Sequence, residues 1–283
     1  IAIAEVIVYN KLIFCRESWE KTMFKRFCFD MQKYFKYAIY SSRAQLKSEV
    51  ANSYLNWLWW VLDPLCFMLI YTFIFGTVFD ASEQYFPLFI FIGITMWDFF
   101  NKTMLQSVKL VKNNKPIVSK VYLPKYILIV VKMMINGFKM LISIAIIVGM
   151  MIFFQVPLTW NVLFAIPLML TYMLLIFGFG TILLHFGVFI EDLWNVTNIA
   201  LRLVFYITGI FYGVYKRLPE PFNEIVIRCN PVAFCLSSMR KCVLYGQAPD
   251  LAILLIWFVI GLILAVIGVR IVYRYENSYV KVI

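Results

Sequence analysis

The sequence predicts an all-α integral membrane protein with six transmembrane helices, an N-terminal amphipathic interfacial helix, and two short re-entrant extracellular helices between spans five and six. Three observations lead to this prediction: the composition, the number of long apolar segments, and the distribution of lysine and arginine between them. Of the 283 residues, 63% are hydrophobic and 14% are charged, whereas a soluble domain is about 25% charged and about 45–50% apolar. No single protein core hides that much apolar surface, so lipid must cover part of it.

Six segments are long and apolar enough to cross a bilayer, because a helix needs about 20 residues to span the hydrocarbon core. The third and fourth segments exceed that length, so we expect them to tilt or to project beyond the lipid. The predicted spans are residues 58–79, 85–108, 126–154, 158–189, 193–215 and 251–273.

Lysine and arginine predict the orientation of these spans. The segment before the first span is rich in both, the connection after it carries neither, and the connection between spans two and three is rich in lysine again. Cytoplasmic connections carry an excess of Lys and Arg. We therefore expect both termini, and the connection between spans two and three, to be cytoplasmic. The basic connection between spans five and six is an exception to this pattern.

That exceptional connection has its own helix signals. Asn230 followed by Pro231 is typical of a helix N-cap and first helical residue, and Gly246 marks the end of the helix. A shorter helix is predicted over residues 221–228. The pair would dip into the outer leaflet and return, which is tolerated when the backbone is helical or lines a protein cavity.

Three cysteines share this segment. Cys229, Cys235 and Cys242 permit a disulfide, but small buried thiols are the favoured interpretation.

The first 56 residues are predicted to form a cytoplasmic segment, and residues 57–283 the six-span domain. Phe24, Phe27, Met31 and Phe35 recur at three- or four-residue spacing, with basic residues on the other faces. This pattern favours an amphipathic helix along the membrane surface. A helix packed on protein is the alternative.

The chain lacks several functional signatures. There is no G-x-x-x-x-G-K-[ST] sequence, so no phosphate-binding loop is predicted. The six cysteines and one histidine form no metal-binding pattern, and no catalytic constellation stands out. The net charge of +11 lies in blocks beside apolar segments, which is not an arrangement for nucleic acid. We expect no catalytic, cofactor or metal site in this chain.

Several motifs resemble the permease subunits of type-2 ABC exporters, above all those that move polysaccharide, O-antigen or teichoic acid. The run SYLNWLWWVLDPL at residues 53–65 resembles the entry to their first span, and FIEDLW at 189–194 resembles the start of their fifth. NPVAF at 230–234 resembles their re-entrant helices, and the order of elements agrees. Where the family often has a proline after the fifth-span aromatic residues, this chain has Thr208 and Gly209.

The resemblance implies a homodimer in the bacterial plasma membrane, joined by two copies of a separate ATPase subunit that binds ATP and Mg. It implies a lipid-linked glycan as the substrate and membrane lipids around the dimer. It further implies a channel between the two copies that is lined mainly by spans one and five. It also implies ATPase docking between spans two and three. An ordinary positive-inside loop is the alternative there. The candidate coupling residues are Asn113, Asn114, Lys115, Pro116 and Lys120.

Aromatic residues on spans one and five are candidates for a substrate track, because sugar rings stack their C–H faces on aromatic side chains. Ordinary packing or lipid contact is the alternative interpretation. The candidate track residues are Tyr71, Phe75, Phe205, Tyr206 and Tyr212.

Two charges are predicted at similar depth inside the membrane, Asp98 on span two and Arg202 on span five. Such residues usually face protein or a water-filled cavity. Three arrangements are consistent with this placement. The two residues form an ion pair, Arg202 faces the channel and meets an anionic group of the substrate, or each residue reaches water separately.

Three other functions compete with glycan export. One is export of drugs or small lipophiles by the same fold, and another is a purely structural membrane scaffold. The third is a membrane-embedded glycan transferase. A transferase needs clustered acidic or histidine residues at the membrane surface, and the sequence does not supply that pattern.

Overall fold

The computed structural model describes the backbone of residues 2–51, 54–78 and 83–282. Side-chain environments are described for residues 23–51, 54–55, 57–76, 83–279 and 282. The predicted outer end of the first span at Phe79, and residues 80–82 of the connection after it, lie outside this description.

The described residues form helices joined by short turns and loops, and they contain no strand. The helices are α1 (Ala2–Val50), α2 (Trp59–Phe73), α3 (Phe86–Val108), α4 (Leu110–Asn113), α5 (Lys115–Val118), α6 (Tyr126–Phe153), α7 (Ala165–Phe189), α8 (Leu193–Ile207), α9 (Val214–Arg217), α10 (Phe222–Cys229), α11 (Pro231–Leu244), α12 (Leu251–Arg274) and α13 (Glu276–Val282). A π-helical turn, Ile74–Val78, continues α2, and a 3-10 turn, Trp160–Phe164, leads into α7. Below, the "α5 end" of the bundle carries α4, α5 and α13, and the "α11 end" carries α10 and α11.

Among the described residues, five helical segments are long and apolar enough to cross a membrane, and they correspond to predicted spans one, two, three, four and six. They are Trp59–Gly76, Phe86–Val108, Tyr126–Phe153, Trp160–Phe189 and Leu251–Arg274. The all-helical membrane architecture is therefore confirmed. The sixth crossing stays a prediction, because the segment expected to form span five is not one continuous helix.

The predicted helix over residues 193–215 ends early. α8 has 15 residues, or about 22 Å at 1.5 Å per residue, which is shorter than the roughly 30 Å hydrocarbon core. The chain turns after it, where Gly209 adopts a left-handed φ of 74°. Glycine has no Cβ to penalise that conformation, so it ends helices readily. The expectation of a continuous fifth span is wrong for this reason.

α3 is the centre of the bundle. In its apolar window 78% of residues are buried, against 6% for the α2 segment. α7 packs against α3, and α12 packs closely against α7 through small residues. A Cβ at Gly178 would lie 2.7 Å from Leu264 Cβ, and one at Gly268 would overlap the Thr181 hydroxyl. Small residues allow such close helix approach in membranes.

α1 packs against α6 through polar side chains. Lys139 Nζ donates to Glu49 Oε2 at 2.5 Å, and Lys132 Nζ donates to Gln45 Oε1 at 2.8 Å. Of the predicted apolar face of α1, Phe27 packs on Tyr126 with ring centroids 5.3 Å apart. Phe24 remains exposed. The helix is thus confirmed and partly packed on protein, and its interfacial location stays a prediction.

The predicted helices in the last connection are α10 and α11. The Asn230 side chain caps α11 as expected, because its Oδ1 accepts from the backbone N–H groups of Val232 and Ala233 at 3.0 and 3.2 Å. Gly246 has a φ of 61° just beyond the helix. The cysteines Cys229, Cys235 and Cys242 are free thiols. Whether these two helices enter the membrane stays a prediction.

Candidate functional site

The connection between α3 and α6 forms a compact, exposed surface at the α5 end. Leu110, Val111 and Val118 are buried and anchor α4 and α5 to the bundle. A side-chain hydrogen bond closes α4, in which Asn114 Nδ2 donates to the Leu110 carbonyl at 2.7 Å. Pro116 lies in the first turn of α5, where its missing N–H costs nothing.

The exposed side of this connection carries most of the predicted coupling residues together with apolar ones. Asn114 is half-buried and structural, whereas the other four predicted residues are exposed. The apolar residues of this connection were not predicted as site residues. The sequence does carry a signal for them, because apolar residues flanked by lysines are unusual on a loop that contacts only solvent. We define the coupling surface as the exposed residues Asn113, Lys115, Pro116, Ile117, Lys120, Val121 and Tyr122.

The coupling surface is tied to both ends of the chain. Tyr122 Oη accepts from Arg26 Nη2 of α1 at 2.6 Å, and the same nitrogen donates to Glu276 of α13 at 2.9 Å. Burial by itself would lower the pKa of the Arg26 guanidinium, but the hydrogen bonds to Glu276 and Tyr122 outweigh it, so that pKa is raised. Arg26 therefore stays charged, and it links the coupling surface to α1 and α13.

Three of the five aromatic residues predicted on spans one and five, Tyr71, Phe75 and Phe205, meet in one cluster. Phe211 lies at its centre, with its ring centroid 4.6 Å from Tyr71, 4.5 Å from Phe75 and 5.2 Å from Phe205. The Phe75 and Phe211 rings are stacked within 5° of parallel. Phe211 was not predicted as a track residue. The cluster joins α2 to the end of α8.

The remaining two track residues occupy a different position. Tyr206 is 68% exposed and lies on the surface of α8. Tyr212 turns back toward α8, and its hydroxyl donates to the Tyr206 carbonyl at 3.0 Å. Tyr212 thus satisfies a carbonyl that the early end of the helix leaves without an intrahelical partner.

One face of α8 is an exposed stripe with a helical repeat. Ile199, Arg202, Leu203 and Tyr206 recur at three- and four-residue spacing, and all four side chains are exposed. Arg202 is the only charged residue of this stripe. Most of α2 is similarly uncovered, since Met68 is its one fully buried residue.

Asp98 and Arg202 do not meet within one chain. Asp98 Oδ2 instead pairs with Lys102 Nζ at 2.7 Å, one turn along α3. Lys102 was absent from the predicted site, although its i,i+4 spacing from Asp98 is the signal for such a pair. Pairing of Asp98 with Arg202 across a dimer stays a prediction, as does the channel-facing role of Arg202.

A buried arginine that was not predicted as a site residue organises the α11 end. Arg240 is 3% exposed, and its guanidinium donates to the carbonyls of Phe89, Gly209 and Ile210 at 3.1, 2.8 and 2.6 Å. It also lies 3.4 Å from the centre of the Phe89 ring, within the range of a cation–π contact. Buried carbonyls outside a regular helix need such partners.

In the described part of the chain, no three His, Cys, Asp or Glu side chains come close enough to hold a metal ion.

Comparison with known proteins agrees with this architecture. A family model described as ABC-2 type transporter matches residues 39–244. Two proteins from Klebsiella pneumoniae, each called O-antigen export system permease protein RfbA, are 27% and 26% identical over 239 residues, which cover 84% of this chain and 91% of each relative. A protein of the same name from Myxococcus xanthus is 25% identical over 209 residues, covering 73% of this chain and 79% of the relative. The chain therefore belongs to the ABC-2 type transporter family of membrane permeases.

Proposed function

We propose that this chain is the transmembrane subunit of an ATP-driven exporter that moves a lipid-linked cell-surface glycan across the bacterial plasma membrane. The observation that carries the proposal is the similarity along most of the chain to three permeases named for O-antigen export. These names favour a glycan over the alternative cargo of drugs or small lipophiles. The same similarity favours transport over a transferase or a scaffold.

The uncovered faces of α2 and α8 support a homodimer with its channel between the two copies. Large apolar side chains such as Phe73 and Leu203 are exposed there. Arg202 and Asn195 lie among them on α8 and are exposed as well. A charged residue in a span usually faces protein or water. In the proposed dimer Arg202 therefore faces the channel and meets an anionic group of the passing substrate, while aromatic rings such as Tyr206 contact its sugars.

The features of the coupling surface favour the binding of a partner subunit that supplies the energy for transport. It is anchored by buried residues, it combines lysines with exposed Ile117 and Val121, and Arg26 connects it to both terminal segments. We propose that a separate ATPase subunit, which binds ATP and Mg, docks here, one copy on each protomer. The chain itself has no phosphate-binding loop with which to hold ATP.

Deletion of the gene in the native bacterium tests the proposal. We expect the surface glycan to disappear and its lipid-linked precursor to accumulate inside the cell, with recovery when the wild-type gene is supplied together with its ATPase gene. The purified chain alone should not hydrolyse ATP above the background of a mock purification. Unchanged surface glycan, with altered resistance to lipophilic drugs, would favour the alternative cargo.

A further inference from the structure

Two adjoining cavities lie between α3 and α6, and Thr95 and Met140 line both of them. The first has a volume of about 230 Å³ and extends to the start of α2. We call it the polar cavity, and its polar and aromatic lining includes Trp59, Asp63, Asp98, Lys102, Asn136 and Lys139. The second has a volume of about 360 Å³. We call it the apolar groove, and its lining includes Met140, Ile144, Ile147, Met151, Val156 and Met169.

The polar cavity contains two buried polar atoms without hydrogen-bond partners among the described residues. They are the Thr95 hydroxyl and the Asn136 side-chain carbonyl, on residues that are 5% and 3% exposed. A buried polar atom left without a partner costs about 1–3 kcal/mol. Native proteins rarely leave such atoms unsatisfied, so these two point to a polar ligand or ordered water in the cavity.

The charges around the polar cavity nearly balance. Lys102 pairs with Asp98 at 2.7 Å, and Lys139 pairs with Glu49 at 2.5 Å. Asp63 is exposed at the side of the cavity. Three carboxylates against two lysines leave one excess negative charge. A diphosphate, with several negative charges and no positive one, is a poor match, whereas a head that carries both a phosphate and an amine finds a partner for each.

Together with the polar cavity, the apolar groove forms a site that fits an amphiphilic molecule. The groove residues follow α6 from Met140 to Ile152, about 18 Å at 1.5 Å per residue, and continue to Val156 beyond the end of the helix. Val148 and Ile152, which also line it, are 50% and 73% exposed, so the groove opens on the lipid-facing side of the bundle. The polar cavity lies at the α5 end of the groove. An extended hydrocarbon chain in the groove therefore places its head in the polar cavity.

We propose that these two cavities together bind one phospholipid whose head carries a phosphate and a primary amine, as in phosphatidylethanolamine. The ammonium group contacts the Asp63 carboxylate and the Asn136 carbonyl. The phosphate accepts from Lys102 and Lys139, the Thr95 hydroxyl donates to an ester oxygen, and one acyl chain follows the groove. This lipid holds α2 against α3 and α6. The proposal does not depend on which cargo the protein exports.

Native mass spectrometry of the detergent-purified, full-length chain tests this site. The probes are phosphatidylethanolamine and phosphatidylglycerol with identical acyl chains. We expect one phosphatidylethanolamine to be retained at least fivefold more than phosphatidylglycerol. Asp63→Asn alone should reduce that preference at least threefold, and the double variant Asp63→Asn/Asp98→Asn should abolish it. Ile144→Trp, which fills the groove, should reduce retention of both lipids.

The matched control is Glu224→Gln, which removes a carboxylate from an exposed ion pair on α10 and should leave lipid retention unchanged. Asp63 is exposed with no hydrogen bond in the described structure that its substitution would break, so that variant should fold even if the double variant does not. Equal retention of the two lipids by the wild type, or unchanged retention by Asp63→Asn, would overturn the proposal. Displacement of phosphatidylethanolamine by lipid-linked glycan extracted from the native membrane would overturn it too, and would assign the cavities to the substrate.

Discussion

Arg240 Nη1 donates to the carbonyl oxygen of Gly209 at 2.8 Å, and this bond joins α11 to the point where the fifth apolar segment stops being helical. The same guanidinium serves the carbonyls of Ile210 and Phe89. Gly93 on α3 leaves the space for it, because a Cβ at that position would overlap the guanidinium. One side chain thus supplies donors to the two carbonyls that follow the end of α8.

Substitution Arg240→Met should destabilise the protein strongly, because the buried carbonyls of Gly209 and Ile210 lose their donor and each costs about 1–3 kcal/mol. Thermal unfolding in detergent, monitored by circular dichroism, measures the effect. Arg228→Met is the matched control, since Arg228 belongs to a surface ion pair with Glu224 and such pairs contribute at most about 1 kcal/mol. Equal shifts in the two variants would show that Arg240 does not support the break.

Substitution Ile117→Glu should weaken binding of the ATPase subunit at least tenfold, because it places a charge in the apolar part of the coupling surface. Reversing Lys115 and Lys120 to Glu should have a similar effect. Co-purification of the two subunits and quantitative blotting measure the result. Ile225→Glu, an exposed isoleucine of α10 at the other end of the bundle, should have no effect. Normal co-purification of both coupling variants would place the docking site elsewhere.

Exchange of charge between Glu49 and Lys139 should show direct coupling between α1 and α6. Glu49→Lys and Lys139→Glu each place two like charges together and should lower the free energy of unfolding by about 1 kcal/mol or more. Lys139→Glu should also disturb the polar cavity, because Lys139 lines it. The double variant should recover part of the loss. Chemical denaturation of all four proteins gives the coupling energy. Strictly additive losses would mean that the pair adds nothing.

Substitution Arg202→Glu should reduce glycan export at least tenfold without affecting dimer assembly, because it reverses the charge on the exposed stripe of α8. Arg202→Lys should keep much of the activity. Since Asp98 is already paired with Lys102, we expect no recovery in the double variant Asp98→Arg/Arg202→Asp. Surface glycan measured by sugar analysis tests all three variants. Recovery in the double variant would instead establish the pair across the dimer.

Substitution Gly268→Ala should separate α7 from α12, because the added methyl group overlaps the Thr181 side chain. Overpacking of this kind costs about 1–3 kcal/mol. Gly149→Ala is the control, since a Cβ there meets nothing within 4 Å and alanine is about 1 kcal/mol more favourable than glycine in a helix. The melting temperature should fall for the first variant and stay or rise for the second. A fall in both would point to a general intolerance of larger side chains.

The sequence by itself determined the membrane class and most of the helix boundaries. Apolar length is a local property, so it placed the second and third spans within one residue of α3 and α6. Capping is also local, which is why Asn230 and Gly246 were found at the ends of α11. The coupling residues were predicted because proline and clustered lysines mark an exposed connection, and the family resemblance supplied their role.

Only the tertiary structure decided which partners satisfy the charged side chains inside the bundle and the backbone carbonyls where a helix ends early. Apolar composition continues past Ile207, so hydropathy could not reveal that α8 ends there. The break is stable because Arg240 arrives from α11, 31 residues further along the chain than Gly209. Lys139 likewise lies in an apolar segment, and its partner Glu49 lies 90 residues away. A sequence pattern reports neighbours within a helix turn, whereas these polar groups are satisfied by partners that only the packing of separate helices brings within hydrogen-bond distance.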